Sequence, residues 1–321
     1  MQELFNGFLQ ETAFPKEWMH TVFTMLPKGG DLSQSSNWRP IATQHAVYKL
    51  FAKIIHLRIG PGLEQQQCAD QCAYRRGFSI DDALHVVEYM IGYSQAHNVD
   101  LWAASLDLSK AFDKISHTAV IHSLLEQGLG EAHVALPQEL YFNQTGQVGS
   151  SDVFDIFCGV RQGDVLSPCV FNAVLESVFR RWKANLARHG WKIPGQDTNL
   201  TNVRFADDII IYANSLPELK EMLLLLFEEL AAVGLEVNAD KTKILTTERF
   251  DLPVRGYSRV EFVGQTCIHV LSEHDTHKYL GRALNFSRQR ASKHCKSASP
   301  LDGCSSRSIG TFLLVRLYVQ S

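Results

Sequence analysis

The most constraining feature of this sequence is a pair of adjacent acidic residues, Asp207 and Asp208, in the middle of an apolar run that extends from Val203 to Ala213. Each half of the run has the length and composition of a β-strand, so the run predicts two strands joined by a polar turn. Two neighbouring carboxylates beside an apolar sheet repel each other and lose hydration, which is unfavourable unless something neutralises them. For an isolated Asp-Asp pair, a solvated hairpin turn would be the simpler interpretation.

A third acidic residue, Asp107, lies near the end of the apolar run 101–108, which predicts a buried strand. Carboxylate oxygens with retained waters are the ligands that suit Mg²⁺. Aspartates on two strands that hold two metal ions roughly 4 Å apart form an arrangement for phosphoryl transfer, in which one ion activates the attacking hydroxyl and the other stabilises the leaving oxygen. From the three carboxylates we therefore hypothesise a site that binds two Mg²⁺ ions.

The order of the predicted elements is strand, helix, strand hairpin, helix, strand. The helix after the hairpin has the clearest signals, because Ser215 and Glu218 form a Ser-x-x-Glu capping box and Gly234 is placed to end the helix. A short strand at residues 235–237 is expected next. Apolar spacing predicts further helices at residues 46–58, 81–93, 117–127 and 168–182. This order predicts an α+β fold with a split βαβ (ferredoxin-like) sheet and helices on one face.

Composition places the 321-residue chain among ordinary globular proteins, since 45% of its residues are hydrophobic and 20% are charged. No apolar run is long enough to cross a bilayer, so no membrane is expected as a partner, and the N-terminus lacks the pattern of a secretory signal. Seven cysteines without framework or zinc spacing favour reduced thiols in an intracellular protein, with the nucleus as one option although no targeting signal is seen. The net charge of −3 means that nucleic-acid binding would require a locally basic groove.

Seven segments, in the same order along the chain, resemble the sequence boxes of reverse transcriptases from non-LTR (LINE-type) retrotransposons. The boxes are Asn37-Trp38-Arg39-Pro40-Ile41, residues 71–83, residues 106–113 (Leu-Asp-Leu-Ser-Lys-Ala-Phe-Asp), residues 159–168 (Gly-Val-Arg-Gln-Gly-Asp-Val-Leu-Ser-Pro), Phe205-Ala206-Asp207-Asp208, residues 234–243 and His277-Lys278-Tyr279-Leu280-Gly281. Any one of these boxes alone would be a weak signal, but all seven in order make a specific one. Residue 165 departs from the pattern, because Val165 stands where the family usually has Pro.

The resemblance implies an RNA-directed DNA polymerase that uses two Mg²⁺ ions, deoxynucleoside triphosphates, an RNA template and a DNA primer. It assigns catalysis to Asp107, Asp207 and Asp208. Asp107 and Asp207 would bind both metal ions, and the carbonyl of Leu108 would be a further ligand. Asp208 would be a weaker ligand, or would lie next to the ligands without binding the metal ions directly.

The resemblance also implies nucleotide-binding roles for four residues, and each role has a simpler alternative. Phe112 would be the steric gate that crowds a 2′-hydroxyl, although core packing explains an aromatic residue there equally well. Gln162 would contact the incoming nucleotide or the template base, or it is a polar turn residue. Arg39 would bind the triphosphate, or it forms a surface salt bridge. Lys241 would bind phosphate or protonate pyrophosphate, with Lys243 as a rival and a solvated lysine as the alternative to both.

In domain terms, the resemblance implies the fingers and palm of a right-hand polymerase. Residues 1–100 would be fingers-like, residues 101–286 would form the palm with an interleaved fingers hairpin, and residues 287–321 are left as an unassigned basic tail interpreted as disordered. From Arg288 onward this tail has six Lys or Arg residues and one Asp. No thumb is recognisable after Gly281, and neither an endonuclease nor an RNase H module is expected.

Two alternatives to an active retroelement polymerase stay open. The first is a truncated, non-catalytic remnant that acts at most as a nucleic-acid-binding module, which the missing thumb favours and the intact aspartates oppose. The second is a reverse transcriptase of the group II intron type, which is disfavoured because no maturase segment follows. The sequence indicates no protein partner.

Overall fold

The computed structural model describes residues 1–11, 14–193, 199–248, 259–271 and 275–286. These residues form two compact units that alternate along the chain. Unit 1 comprises Met1–Gln67, Lys110–Arg180 and Leu230–Leu235, and unit 2 comprises Cys68–Ser109, Arg181–Glu229 and the described residues from Glu236 onward. The basic tail at 287–321 lies outside the described residues, and the domain boundaries predicted above stay a prediction.

The helices of the described chain include all those predicted from apolar spacing. They are α1 (Gln2–Glu11), α2 (Lys16–Met19), α3 (Ala46–Gln66), α4 (Ile80–His97), α5 (Ala111–Lys114), α6 (His117–Glu126), α7 (Glu131–Phe142), α8 (Ser167–Ala184) and α9 (Leu216–Ala232). The predicted helices at 117–127 and 168–182 agree with α6 and α8 to within two residues. Helix α3 extends well past the predicted residue 58, because its buried apolar positions continue through Ile59 and Leu63 despite Pro61.

The strands are β1 (His20–Pro27), β2 (Trp38–Thr43), β3 (Trp102–Leu106), β4 (Thr145–Val148), β5 (Phe154–Asp155), β6 (Trp191–Lys192), β7 (Asn199–Leu200), β8 (Asn202–Phe205), β9 (Asp208–Ala213), β10 (Lys243–Thr246), β11 (Arg259–Val263), β12 (Thr266–Val270), β13 (His277–Tyr279) and β14 (Arg282–Leu284). The hairpin predicted from the acidic pair is confirmed as β8 and β9. The strand predicted at 235–237 is wrong, because the segment pairs with its neighbour only at an isolated bridge between Val237 and Leu108.

Unit 1 is organised around a four-stranded sheet in the order β2-β1-β4-β5. Strands β1 and β2 are antiparallel, and β4 pairs in parallel with the other side of β1. An aromatic cluster joins the N-terminal helices to α3, with the rings of Trp18 and Phe51 centred 5.2 Å apart and those of Phe5 and Phe51 5.4 Å apart. Packing of these rings, rather than helix propensity alone, explains why short helices form at the start of the chain.

Unit 2 contains a six-stranded mixed sheet in the order β11-β12-β10-β3-β9-β8. All neighbouring pairs are antiparallel except β10 and β12. Residues 209–213 of β9 are all buried, which means that both faces of this strand are covered and explains the uninterrupted apolar sequence. One face packs on α4, where Val87 and Met90 join Ile210 and Tyr212 in the core of the unit.

The ends of α9 follow the predicted signals with one difference. The Ser215 hydroxyl accepts the Glu218 backbone N–H at 3.4 Å, but the Glu218 carboxylate accepts the backbone N–H groups of Asn214 and Gly190 instead of completing a reciprocal capping box. Gly234 has φ of +82°, and a Cβ there would lie 2.8 Å from the Lys114 carbonyl oxygen, so only glycine fits this helix end. Among the described helices, none has the length and apolar character needed to span a membrane.

Candidate active site

A tight turn between β8 and β9 carries two of the three predicted catalytic carboxylates. Phe205 pairs with Asp208, which leaves Ala206 and Asp207 as a two-residue turn. Ala206 has φ of +56° and Asp207 does not have a positive φ, which is the pattern of a type II′ turn. Glycine is usual at the first central position, and a positive φ costs alanine about 1 kcal/mol or more. The turn therefore stores strain that its surroundings must offset.

Strand β3 brings the third carboxylate to the same edge of the sheet. Leu106 pairs with Ile209, and one further step of this antiparallel register places Asp107 opposite Asp208. The Asp107 backbone is fixed on its other side, because its N–H donates to the Thr242 hydroxyl at 3.3 Å and its carbonyl accepts the Asn238 N–H at 2.8 Å. Residues far apart in sequence thus meet where the register of β3 and β9 ends.

The electrostatics of this edge indicate that the three carboxylates interact. Removal of water by neighbouring protein atoms, together with the negative charges of Asp207 and Asp107, raises the pKa of Asp208 to about 6. Asp208 nevertheless keeps an exposed side, and Asp107 and Asp207 are half-buried. A cation can therefore reach all three groups and would relieve their mutual repulsion, which fits the donor set that hard divalent cations prefer.

The carbonyl of Leu108, the fourth predicted metal ligand, does not take part in the backbone hydrogen bonds beside the Leu108–Val237 bridge. The hydrogen bonds beside the Leu108–Val237 bridge are donated by Ser109 to Glu236 and by Asn238 to Asp107, so the ladder uses the residues on either side of Leu108. This pattern corresponds to a non-hydrogen-bonded pair of an antiparallel ladder. The Leu108 carbonyl is therefore compatible with an additional oxygen ligand beside Asp107.

Of the two rival lysines, Lys241 lies toward the carboxylates. Its ammonium is 3.7 Å from the Asp107 carboxylate, and about two thirds of the side chain is exposed. The ammonium of Lys243 instead donates to the backbone carbonyl of Asp240. Unit 2 thus brings together Asp107, Leu108, Asp207, Asp208 and Lys241, which are five of the eight residues predicted for the site.

The other three predicted residues belong to unit 1. Phe112 is half-buried and stacks on the buried ring of Phe171, with centroids 4.4 Å apart. One ring face is therefore used in packing, as the simpler alternative predicted, and the gate role stays a prediction. The Gln162 amide donates to the Asp113 carboxylate at 2.8 Å, while burial raises the pKa of Asp113 more than this hydrogen bond lowers it.

The loop around Gln162 has a backbone that requires glycine. Gly159 has φ of +90°, and a Cβ there would lie 2.7 Å from the Asp113 carbonyl oxygen. The backbone carbonyl of Gln162 accepts the Ala42 N–H of β2 at 3.0 Å. Arg39, also on β2, is exposed and forms no ion pair with any residue that the structure describes, so the salt bridge considered from the sequence is not observed there.

Sequence reasoning missed a buried ionic network beside the hairpin. Arg204 on β8 is fully buried and donates to the Asp70 carboxylate at 2.6 Å, while Lys183 and Asn202 donate to its other oxygen at 2.5 and 2.7 Å. Burial alone would raise the pKa of Asp70, but the charges of Arg204 and Lys183 hold it well below its usual range. The signal was present, since a charged residue in an apolar strand requires a buried partner.

Comparison with known proteins agrees with this fold. The structure of apo telomerase from Candida tropicalis, truncated from its C-terminal domain, superimposes with a TM-score of 0.58 over 89% of this chain and 58% of that one, at 13% identity. The chain thus has a mixed α+β fold like that of the telomerase reverse transcriptase domain. Residues 26–284 match the family model described as "Reverse transcriptase (RNA-dependent DNA polymerase)". The chain therefore belongs to the reverse transcriptase family.

Its relatives include Pol proteins of non-LTR retrotransposons. The chain is 28% identical over 284 residues to the Pol polyprotein of the type-2 retrotransposable element R2DM of Drosophila melanogaster, covering 83% of this chain and 25% of that protein. It is 26% identical over 282 residues to the Pol polyprotein of the R2 element of Popillia japonica, covering 85% of this chain and 38% of that protein. The chain thus spans a quarter to two fifths of the length of these two relatives.

Proposed function

We propose that this chain is the catalytic core of a retroelement RNA-directed DNA polymerase, which adds deoxynucleotides to the 3′-hydroxyl of a DNA primer on an RNA template. The observation that carries the proposal is the meeting of Asp107, Asp207 and Asp208 at one edge of the unit 2 sheet, where burial and the charges of Asp207 and Asp107 raise the pKa of Asp208. Members of the family are RNA-directed DNA polymerases that bind nucleic acids and typically use divalent metals, which fits this cluster.

The sheet order supports a polymerase palm as the setting of this site. In unit 2 the first strand β3 lies between β10 and β9, with β8 outside β9. Helix α8 lies between β3 and β8 in the sequence, and α9 lies between β9 and β10. This is the order of a split βαβ sheet, in which the adjacent ends of the two central strands carry the carboxylates. Assignment of fingers and palm, and of helices to one face, is part of the proposal.

In this proposal, residues of the chain would supply the charges that bind the metal ions and would hold those ions in position. Asp107 and Asp207, with the Leu108 carbonyl, would hold two Mg²⁺ ions, and Asp208 would add negative charge beside them. When bound, such ions lower the pKa of an attacking hydroxyl and stabilise a leaving oxygen. The Lys241 ammonium, 3.7 Å from Asp107, would bind phosphate oxygens at the same edge. Phe112, Gln162 and Arg39 enter the proposal through the family resemblance alone, as residues that bind the deoxynucleoside triphosphate.

The test is primer extension by the full chain with Asp107→Asn and Asp207→Asn, each of which keeps the side-chain shape and removes the charge. Loss of a metal-binding carboxylate removes several kcal/mol of transition-state stabilisation, so extension on an RNA template should fall at least about a hundredfold. Asp81→Asn is the matched control, because Asp81 is an exposed aspartate of the same unit on α4. Near wild-type extension by a folded Asp207→Asn protein would show that the proposed site is wrong.

A further inference from the structure

The turn that carries Asp207 and Asp208 is held by a buried side chain from a distant part of unit 2. The Gln71 side-chain oxygen accepts the backbone N–H of Ala206 at 3.0 Å and that of Ala73 at 2.9 Å. Gln71 is fully buried. Its amide orientation follows from these contacts, because only the oxygen can accept from two N–H groups. One side chain thus fixes the backbone at the strained, positive-φ residue of the turn.

Gln71 itself is held in register with the hairpin. Residues 70–72 run beside β8, with the Cys72 N–H donating to the Arg204 carbonyl at 2.8 Å and the Arg204 N–H donating to the Asp70 carbonyl at 2.7 Å. The buried Asp70–Arg204 ion pair ties the same two segments together through their side chains. Gln71 therefore meets the turn from a rigid position.

A second side chain reaches the other end of the turn. The Tyr279 hydroxyl, at the end of β13, donates to the backbone carbonyl of Asp208 at 3.4 Å. Tyr279 is only 3% exposed and packs in the core of unit 2. Burial, reinforced by the negative charge of Asp208, raises the pKa of Tyr279 well above its usual value, so the hydroxyl stays protonated and remains a donor. At 3.4 Å this contact is long, and its contribution is the smaller of the two.

We propose that Gln71 and Tyr279 are positioning residues, which set the affinity of the site for divalent metal ions by fixing the turn that carries Asp207 and Asp208. The inference rests on the proposed function. Without an acceptor for its N–H, Ala206 lowers its conformational energy by relaxing to negative φ. In a two-residue turn that relaxation moves Asp207 and Asp208, which follow Ala206 directly. Ligand side chains must be held within about 0.5 Å of the productive geometry, so such a movement weakens metal binding.

A purely structural role would instead lower stability and leave metal affinity unchanged. Thr247→Val is a matched control for that outcome, because it also removes buried side-chain hydrogen bonds in unit 2. The Thr247 hydroxyl accepts the Leu101 N–H at 2.9 Å and bonds to the Ser94 hydroxyl at 2.5 Å. Leu101 precedes β3, at the opposite end of the strand from Asp107.

The experiment measures Mn²⁺ binding to the full chain by electron paramagnetic resonance, together with the Mg²⁺ concentration for half-maximal extension and the KM for deoxynucleotide. Gln71→Met should weaken Mn²⁺ binding about tenfold or more and raise the required Mg²⁺ concentration by a similar factor. A loss of this size is expected when a residue that holds metal ligands in position is removed. Tyr279→Phe should weaken it by a factor of roughly 2 to 5. Both should leave the KM for deoxynucleotide unchanged, and Thr247→Val should match the wild type in Mn²⁺ affinity.

A rescue variant distinguishes an effect on the turn from a general loss of stability. Glycine adopts positive φ without strain, so Ala206→Gly added to Gln71→Met should recover part of the lost Mn²⁺ affinity. Absence of any recovery would overturn the assignment to the turn. If Gln71→Met does not fold, Tyr279→Phe, which removes a single oxygen, decides the question.

The outcomes also distinguish this inference from the proposed function. If the wild type binds Mn²⁺ no better than Asp207→Asn, both are wrong. If Asp207→Asn loses Mn²⁺ binding and extension while Gln71→Met and Tyr279→Phe bind Mn²⁺ like Thr247→Val, the site stands and only the positioning role is overturned.

Discussion

Arg204→Met should destabilise unit 2 by removing one partner of a buried ion pair while keeping most of the aliphatic volume. Arg204 is fully buried, and its guanidinium donates to the Asp70 carboxylate at 2.6 Å. Removing one partner of a buried pair costs about 3–5 kcal/mol, because the remaining charge stays buried without its counterion. Asp70 retains Lys183 and Asn202 on its other oxygen, which puts the expected loss near the lower limit, about 3 kcal/mol.

The loss can be followed as a change in unfolding temperature by circular dichroism. In a domain of roughly 150 to 250 residues, each kcal/mol corresponds to about 2–4 °C, so a decrease of roughly 6–12 °C is expected. The double variant Asp70→Asn with Arg204→Met removes both charges and should recover much of the loss, since a neutral pair carries no desolvated charge. A single variant as stable as the wild type, or a double variant whose loss equals the sum of the single losses, would refute the reasoning.

The same pair predicts a pH dependence. The folded-state pKa of Asp70 lies below its unfolded value of about 3.9, so its contribution to stability is complete above that pH and is lost as the pH falls through the lower folded-state value. The wild type should therefore lose unfolding free energy below about pH 4 more steeply than Asp70→Asn. Equal acid sensitivity of the two proteins would contradict the assigned pKa direction.

Three further predictions follow from the site. Phe112→Val should increase incorporation of ribonucleotides over deoxyribonucleotides if the ring is a gate; unchanged sugar preference with a stability loss of about 2–4 kcal/mol would assign Phe112 to packing on Phe171 alone. Asp208→Asn should raise the unfolding temperature of the metal-free protein at pH 7, because burial and the charges of Asp207 and Asp107 raise the folded-state pKa of Asp208 to about 6; the difference should shrink as the pH falls below about 6 and vanish at about pH 4, the unfolded-state value. Gly159→Ala should unfold at a lower temperature than the wild type, since its Cβ would lie 2.7 Å from a backbone oxygen; equal unfolding temperatures would contradict this close approach.

The sequence alone was sufficient to predict the structural features that depend on local residue patterns. The hairpin, the helices α6, α8 and α9, and the meeting of Asp107 with the acidic pair were all predictable from apolar runs and the order of elements. Helix α7 was not, because Pro137 interrupts its pattern at the seventh residue and a proline inside a run normally argues against a helix. In α7 the buried Val134, Leu136 and Leu140 outweigh the lost hydrogen bond.

The supports of the site could not be derived from local pattern. Gln71 lies 135 residues from Ala206, and Asp70 lies 134 residues from Arg204. An isolated charge in an apolar strand indicates that a partner exists, but its identity depends on which segment covers the edge of β8. That arrangement is a property of the tertiary fold, and no spacing rule reports it.

The energetics of the turn between β8 and β9 are unfavourable for stability alone, which supports the proposed cation site. A hairpin selected for stability alone would have glycine at position 206 and an uncharged residue at position 207. The chain instead has an alanine at positive φ and three interacting carboxylates, one of them with its pKa raised to about 6. These costs are local, whereas the contacts that offset them come from Asp70, Gln71 and Tyr279, which lie elsewhere in unit 2. Strain at a turn that its surroundings hold in place is what a preorganised metal site requires, because the repulsion that destabilises the empty turn becomes attraction when cations bind.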